Sequence, residues 1–159
     1  MSQSASRRSA LLLALSASLA LAACGGGGGD AGTPVNQDPN GWQAVTALKV
    51  ADTTPGTGLQ ADAGKTVSVH YTGYLYDVRV ASTKGTQFDT SVGKTPLVFK
   101  LGTNAVIPGF DQGVTGMKVG GKRTLTIPAA LGYGSAGAGG GTIPPNAALV
   151  FDVELVGVN

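Results

Sequence analysis

The chain has 159 residues, with 26 glycines, 13% charged residues and a single cysteine, Cys24. That length suits one domain with a modest core. Beyond residue 24 the sequence holds nine Lys and Arg against nine Asp and Glu, so no basic face for a nucleic acid is expected.

Arg7 and Arg8 form a positive start, followed by LLLALSASLALAA from Leu11 to Ala23. These thirteen apolar or small residues are too few for a membrane span and match the apolar region of a signal peptide. Residues 1–23 are therefore expected to be a signal peptide. The segment ends Leu21-Ala22-Ala23-Cys24, which resembles the lipobox of bacterial lipoproteins. An exported protein ordinarily uses cysteines in pairs, and lipidation gives this single one a purpose. A thioether-linked diacylglycerol carries more than one acyl chain, which is enough for stable anchoring. Gly25 follows Cys24 in place of the aspartate that favours inner-membrane retention. The expectation is a lipid anchor in the cell envelope, in the outer membrane facing the periplasm. Residues 24–41, containing GGGGGDAGTPVNQDPN, show no hydrophobic periodicity and read as a tether.

A folded domain is expected over 42–159. Trp42 to Val50 reads as a strand, and TTPGTG and DAGK as turns. In VSVHYTGYL, residues 67–75, Val67, Val69, Tyr71 and Leu75 share one face by alternation. A polar connection from Tyr76 to Gln87 leads to FDTS, and then Leu97, Phe99 and Leu101 alternate in a further strand. IPGFDQGVTGM reads as the helix: Pro108 fits its first turn, and Phe110, Val114 and Met117 fall at i, i+4 and i+7. KRTLTIP and ALVFDVELVGV supply the last strands. The fold class is α+β, a twisted antiparallel sheet of five to six strands wrapped as a half-barrel around one short α-helix.

Metal chemistry has little support: one histidine, one cysteine and no carboxylates at ligand spacing. His70 lies on the outward face of its strand and reads as structural. No cofactor is expected. The stretch LGYGSAGAGGGTIPPN, residues 131–146, lacks the Lys-Ser/Thr ending of a phosphate loop, and a Pro-Pro pair follows it where a helix would be needed. A glycine-rich flap over an apolar ligand is the remaining reading.

Six of the nine aromatic residues, Tyr71, Phe88, Phe99, Phe110, Tyr133 and Phe151, fall at strand ends and loops, with Asp89 beside Phe88. The motifs VHYTGYL, GTQFDTS, VIPGFDQGVTGMKVGGKRTLTIP, GYG and IPPNAALVFDVELV occur in this order. Together they resemble the FKBP-type peptidyl-prolyl isomerases across essentially all of 42–159. The resemblance implies that fold and an isomerase acting on X–Pro bonds in exported or envelope proteins. It implies a pocket with Tyr71, Phe88 and Asp89 as wall, Val106 and Ile107 at the helix start, and Phe99 and Phe151 as deeper aromatics. Phe110 would form the floor, Tyr133 the hydroxyl donor and Ile143 the apolar edge of the flap. Phe99 and Phe151 equally suit the core, and a turn cap in FDTS is the lesser alternative for Asp89. Proline-containing segments would be the partners, with macrolide inhibitors of the FKBP class, and the domain would act as a monomer. Phe110 stands where the best-known members carry tryptophan, and Leu97 where they carry phenylalanine. The flap has no histidine and is about one residue longer. A proline-binding or chaperone module on the same fold is the competing reading, separated from an isomerase by turnover.

Overall fold

A computed structural model describes residues 38–159. The expected signal peptide, Cys24 and most of the expected tether lie outside the described residues. Six strands and one α-helix follow in order: β1 (Lys49–Thr54), β2 (Thr66–Tyr76), β3 (Lys84–Thr90), β4 (Leu97–Lys100), α1 (Pro108–Val114), β5 (Lys122–Ile127) and β6 (Leu149–Val158). All pairings are antiparallel, in the order β1-β5-β6-β2-β3, with β4 also pairing with β2.

β2 is the longest strand because its alternation serves two sides at once. Along one edge it pairs with β6 from Val67 to Leu75. Along the other, β4 takes Thr66 to Val69 and β3 takes Thr72 to Tyr76. Its inward residues Val67 and Val69 join Leu125, Leu149 and Leu155 as fully buried side chains. Helix α1 closes this concave face through Phe110 and Val114, which are 3% and 0% exposed. Burying each such side chain contributes roughly 1.5–3 kcal/mol.

Four local expectations are corrected. Trp42–Ala44 is a single 3-10 turn and not the start of a strand. Both oxygens of the Asp38 carboxylate hold it, accepting the N–H groups of Trp42 (2.8 Å) and Gln43 (2.6 Å). The Trp42 indole N–H donates to the Tyr76 carbonyl at 2.7 Å. Asn40 accepts from Val78 N–H (3.0 Å) and Arg79 (2.7 Å), so the packed unit already includes Asp38 to Gly41, before the expected boundary at Trp42. Secondly, β1 extends through Thr54, into the stretch read as a turn, and all six of its residues are exposed. It is held by its backbone ladder to β5 and by the Arg123–Asp52 pair (2.6 Å) rather than by an apolar face. Thirdly, the Tyr76–Gln87 connection is shorter, because Lys84–Gln87 already belongs to β3. Fourthly, α1 ends at Val114, so Met117 reaches the core from the turn beyond it, 3% exposed.

Candidate active site

The site lies where β2 changes partner. Between β4 and β3, the Tyr71 backbone has no strand to bond. Ser91 fills the gap: its N–H donates to the Tyr71 carbonyl (3.0 Å), and its hydroxyl accepts the Tyr71 N–H (2.9 Å). Thr90 Oγ1 also donates to that carbonyl at 3.0 Å. The ring of Tyr71 is thereby fixed at the open end of the half-barrel. His70, beside it, bonds through Nδ1 to the Ser91 carbonyl (3.1 Å) on the outer side of the strand. Ser91 is a positioning residue that sequence reasoning missed. Its one signal is a serine at the end of FDTS that is 6% exposed once folded.

A cavity of about 200 Å³ opens beside Tyr71. Phe110 from α1 and Phe151 from β6 lie deepest, with centroids 5.2 Å apart and rings near perpendicular. Phe88 of β3 meets Phe151 edge-on at 5.6 Å, and Tyr71 meets Phe110 edge-on at 5.8 Å. Such edge-to-face contacts set the positive ring edge against a negative face. Gly73 allows the closure: a Cβ there would lie 2.6 Å from Phe88 Cζ and 2.8 Å from Phe151 Cε1. Val106 and Ile107, just before α1, complete the lining together with Leu97, Asp89 and Tyr133. Ala105 also lines it and was missed, since alanine in a loop carries no pattern of its own.

Two expected site residues sit elsewhere. Phe99 is absent from the cavity wall; it is 6% exposed and supports Phe110 from behind at 5.8 Å. Ile143 lines an adjoining cavity of about 270 Å³ with Ala138, Gly139 and Thr142, which shares Phe88, Asp89 and Tyr133 with the first. The flap between Tyr133 and Ile143 is built of short 3-10 turns pinned by a backbone bridge, Ala138 N–H to Ile143 O (2.9 Å) and Ile143 N–H to Ala138 O (3.0 Å). A larger hollow, about 330 Å³, lies on the opposite face of the sheet. Its charges are already paired, Lys84 with Asp152 (2.7 Å) and Lys122 with Glu154 (3.2 Å), so it offers little to a ligand.

Polar groups at the rim are few. Tyr71 O–H donates to Asp89 Oδ2 at 2.5 Å, and Asp89 Oδ1 accepts the Thr90 N–H at 2.8 Å. The Ile107 carbonyl accepts from Phe110 and Asp111, starting the helix, whereas no described group accepts the Ile107 N–H. Burial, and then the Asp89 hydrogen bond and charge, push the Tyr71 phenol up to about 12. Burial and the Asp89 charge also raise Tyr133. Both phenols therefore stay protonated, as donors, through neutral and moderately alkaline pH. A raised folded-state pKa stabilises the fold fully below the unfolded value near 10, and that contribution is lost as pH rises towards 12. Phenolate absorbance should accordingly show Tyr71 ionising only as the pH rises towards 12, with stability falling over that same window. Ionisation of Tyr71 near 10 would contradict it.

The model of the FKBP-type peptidyl-prolyl cis-trans isomerase family matches residues 58–156. The chain belongs to that family. It is an FKBP-type peptidyl-prolyl isomerase, EC 5.2.1.8. It is 53% identical over 112 residues to the FK506-binding protein of Streptomyces anulatus, covering 70% of this chain and 86% of that one. It is 49% identical over 113 residues to an FK506-binding protein of Neisseria meningitidis serogroup A, covering 70% and 96%. Among solved structures it is similar to FkpA from Escherichia coli, with TM-score 0.60 and 43% identity over 72% of this chain and 49% of FkpA. The FKBP-like fold, an antiparallel sheet of five to six strands with one short helix, agrees with the expectation from sequence. The family binds proline peptides and FK506-class macrolides.

Proposed function

We propose that this FKBP-type domain seats the proline ring of exported proteins in the aromatic cavity and promotes rotation of the preceding peptide bond there. The supporting observation is the chemistry of the cavity: five aromatic rings, aliphatic side chains, and donors confined to the rim. The planar amide owes its rotation barrier of about 18–20 kcal/mol to resonance, which puts negative charge on oxygen. Water stabilises that polar planar form. Twisting the bond removes the resonance and the polarity, so an apolar enclosure favours the twisted form relative to the planar one. A thousandfold to millionfold acceleration needs only about 4–8 kcal/mol, which desolvation, shape and one or two hydrogen bonds can supply.

In this reading Phe110 is the floor, Phe151, Phe88 and Tyr71 are the walls, and Val106 and Ile107 close the helix side. The Ile107 N–H, which has no acceptor among the described residues, takes one substrate carbonyl, and the Tyr133 O–H takes another. Asp89 orients Tyr71 and neither donates nor accepts a proton in the reaction. Phe99 acts through Phe110 as support. Macrolides of the FKBP class would compete for the same cavity.

Residues 1–23 would direct export, and Cys24 would carry the lipid that holds the domain, as a monomer, in the outer membrane facing the periplasm. The support is the sequence Leu21-Ala22-Ala23-Cys24. Incorporation of labelled palmitate that disappears in Cys24→Ala would carry this reading, and unchanged labelling would remove it.

For the site, cis–trans exchange of an X–Pro peptide is to be measured on the protein and on Tyr133→Phe and Asp89→Ala. Loss of one hydrogen bond to the twisted form should lower kcat/KM about tenfold for Tyr133→Phe, which corresponds to roughly 1.4 kcal/mol. Wild-type rates in both variants would place the reaction outside this cavity.

A further inference from the structure

Asp111 lines neither cavity, yet it is buried in the first turn of α1, 8% exposed. A buried carboxylate is costly unless hydrogen bonds repay its lost water. Both oxygens of Asp111 lie 3.0 Å from a single donor, the N–H of Gly102. Its own N–H donates to the Ile107 carbonyl at 3.2 Å. One residue thus grips both ends of the segment from Gly102 to Ile107. The core holds the near end as well. Leu101 is 1% exposed, its carbonyl accepts from Gly64 (3.0 Å), and its N–H donates to the Lys65 carbonyl (2.9 Å). Gly102 then turns the chain away with φ 79°, in the left-handed region that favours glycine. The segment it starts carries Ala105, Val106 and Ile107, the helix side of the aromatic cavity.

We infer that Asp111 is a positioning residue for the isomerase reaction. Through Gly102 it sets the loop that places Val106 against the proline and aims the Ile107 N–H at a substrate carbonyl. The inference rests on the reading of the aromatic cavity as the proline site. The Ile107 N–H lies in the peptide plane it shares with Val106, so a tilt of the loop turns the donor away. Tyr133 is carried by the flap and is not attached to this loop.

The test compares kcat/KM on an Ala–Pro peptide among variants, each measured well below its unfolding midpoint. Asp111→Leu keeps the bulk and removes the acceptor, leaving the Gly102 N–H unpaired. Its kcat/KM should fall about tenfold or more, through misplacement of the loop. Asp111→Asn keeps an acceptor oxygen, and a neutral acceptor should hold kcat/KM within about threefold of wild type. Gly102→Ala keeps the carboxylate and strains the donor's backbone, since a Cβ there meets nothing within 4 Å but φ is positive. It should also lower kcat/KM, and its loss should not add to that of Asp111→Leu, because both act on one bond. Met117→Ala removes core packing beyond the helix, and should cost stability while leaving kcat/KM unchanged.

Wild-type kcat/KM in Asp111→Leu and Gly102→Ala would overturn the inference. So would equal losses in Asp111→Asn and Asp111→Leu, or a matching loss in Met117→Ala. If Asp111→Leu does not fold, Gly102→Ala and Asp111→Asn decide: a loss in the first without one in the second is the expected result, and any other overturns it. Tyr133→Phe keeps the two readings apart. A fall there beside an unaffected Asp111→Leu removes this inference alone. Wild-type rates in Tyr133→Phe and Asp89→Ala remove the proline-site reading, and this inference with it.

Discussion

Phe151→Ala should lower the unfolding free energy by about 3–5 kcal/mol, the usual cost of removing a buried aromatic ring. Phe151 is 4% exposed, and its ring touches three others, Phe110 at 5.2 Å, Phe88 at 5.6 Å and Tyr71 at 6.1 Å. Its backbone also sits between two strands, opposite Gly73 of β2 and Leu125 of β5. Truncation therefore removes core packing and the common wall of the proline cavity in one step. Against a total stability of about 5–15 kcal/mol for a domain of this kind, the loss is large. A urea titration should show the midpoint falling with little change in slope. Isomerase activity, measured well below the new midpoint, should fall at least about tenfold because the enclosure that favours the twisted amide is gone. A stable but inactive protein would mean that neighbouring side chains fill the space. A protein that is both stable and active would show that Phe151 is not the hub described here.

Gly137→Ala should do the reverse, reducing activity while leaving global stability nearly intact. Gly137 has φ 63° and ψ −165°, a combination open essentially to glycine. A Cβ placed there would also run into the Ile143 carbonyl oxygen and lie 3.0 Å from the Pro144 carbonyl carbon. That carbonyl oxygen is the acceptor in the Ala138–Ile143 bridge that closes the flap. The substitution cannot be absorbed by rotating a side chain, because its neighbours are backbone. The flap should open, Tyr133 should lose its fixed position, and kcat/KM should fall roughly tenfold or more for loss of an oriented donor. The core beneath, from Val67 to Leu155, is untouched, so the unfolding midpoint should shift little. Amide hydrogen exchange separates the two effects. Ala138 and Ile143 should lose protection while β2 and β6 keep theirs. Global loss of protection would show that the flap belongs to the cooperative core.

Both variants bear on why the site needs the whole fold. Its rings come from β2, β3, α1 and β6, and its hydroxyl from a loop that follows β5. Of the four elements that carry rings only β2 and β3 are adjacent in sequence, while the loop runs on into β6. Only closure of the sheet around α1 brings Tyr71, Phe110 and Phe151 within about ring-contact distance of each other.

By itself the sequence determined the strands with clean alternation, the position of the helix and the identity of the aromatic residues. Val67 and Val69 in β2 and the run from Leu149 to Leu155 in β6 alternate because one face meets the core. The Pro108 start of α1 is a local backbone preference and was equally legible. The ordered motifs pointed to the family because glycines, aromatics and one aspartate recur at fixed places in the chain. The tertiary structure alone decided the remainder. β1 has no buried face, so no alternation marks it, and its partner β5 lies some seventy residues away. Trp42 reads as a strand residue until Asp38 and the Tyr76 carbonyl claim its two N–H groups. Phe99 and Phe151 carry the same pattern of alternation, and only packing distinguishes them, placing one behind Phe110 and the other in the cavity wall. Periodicity records which side of an element is dry. Which dry residues enclose a ligand and which enclose each other depends on how the sheet curves, and that is settled by contacts far apart in the chain.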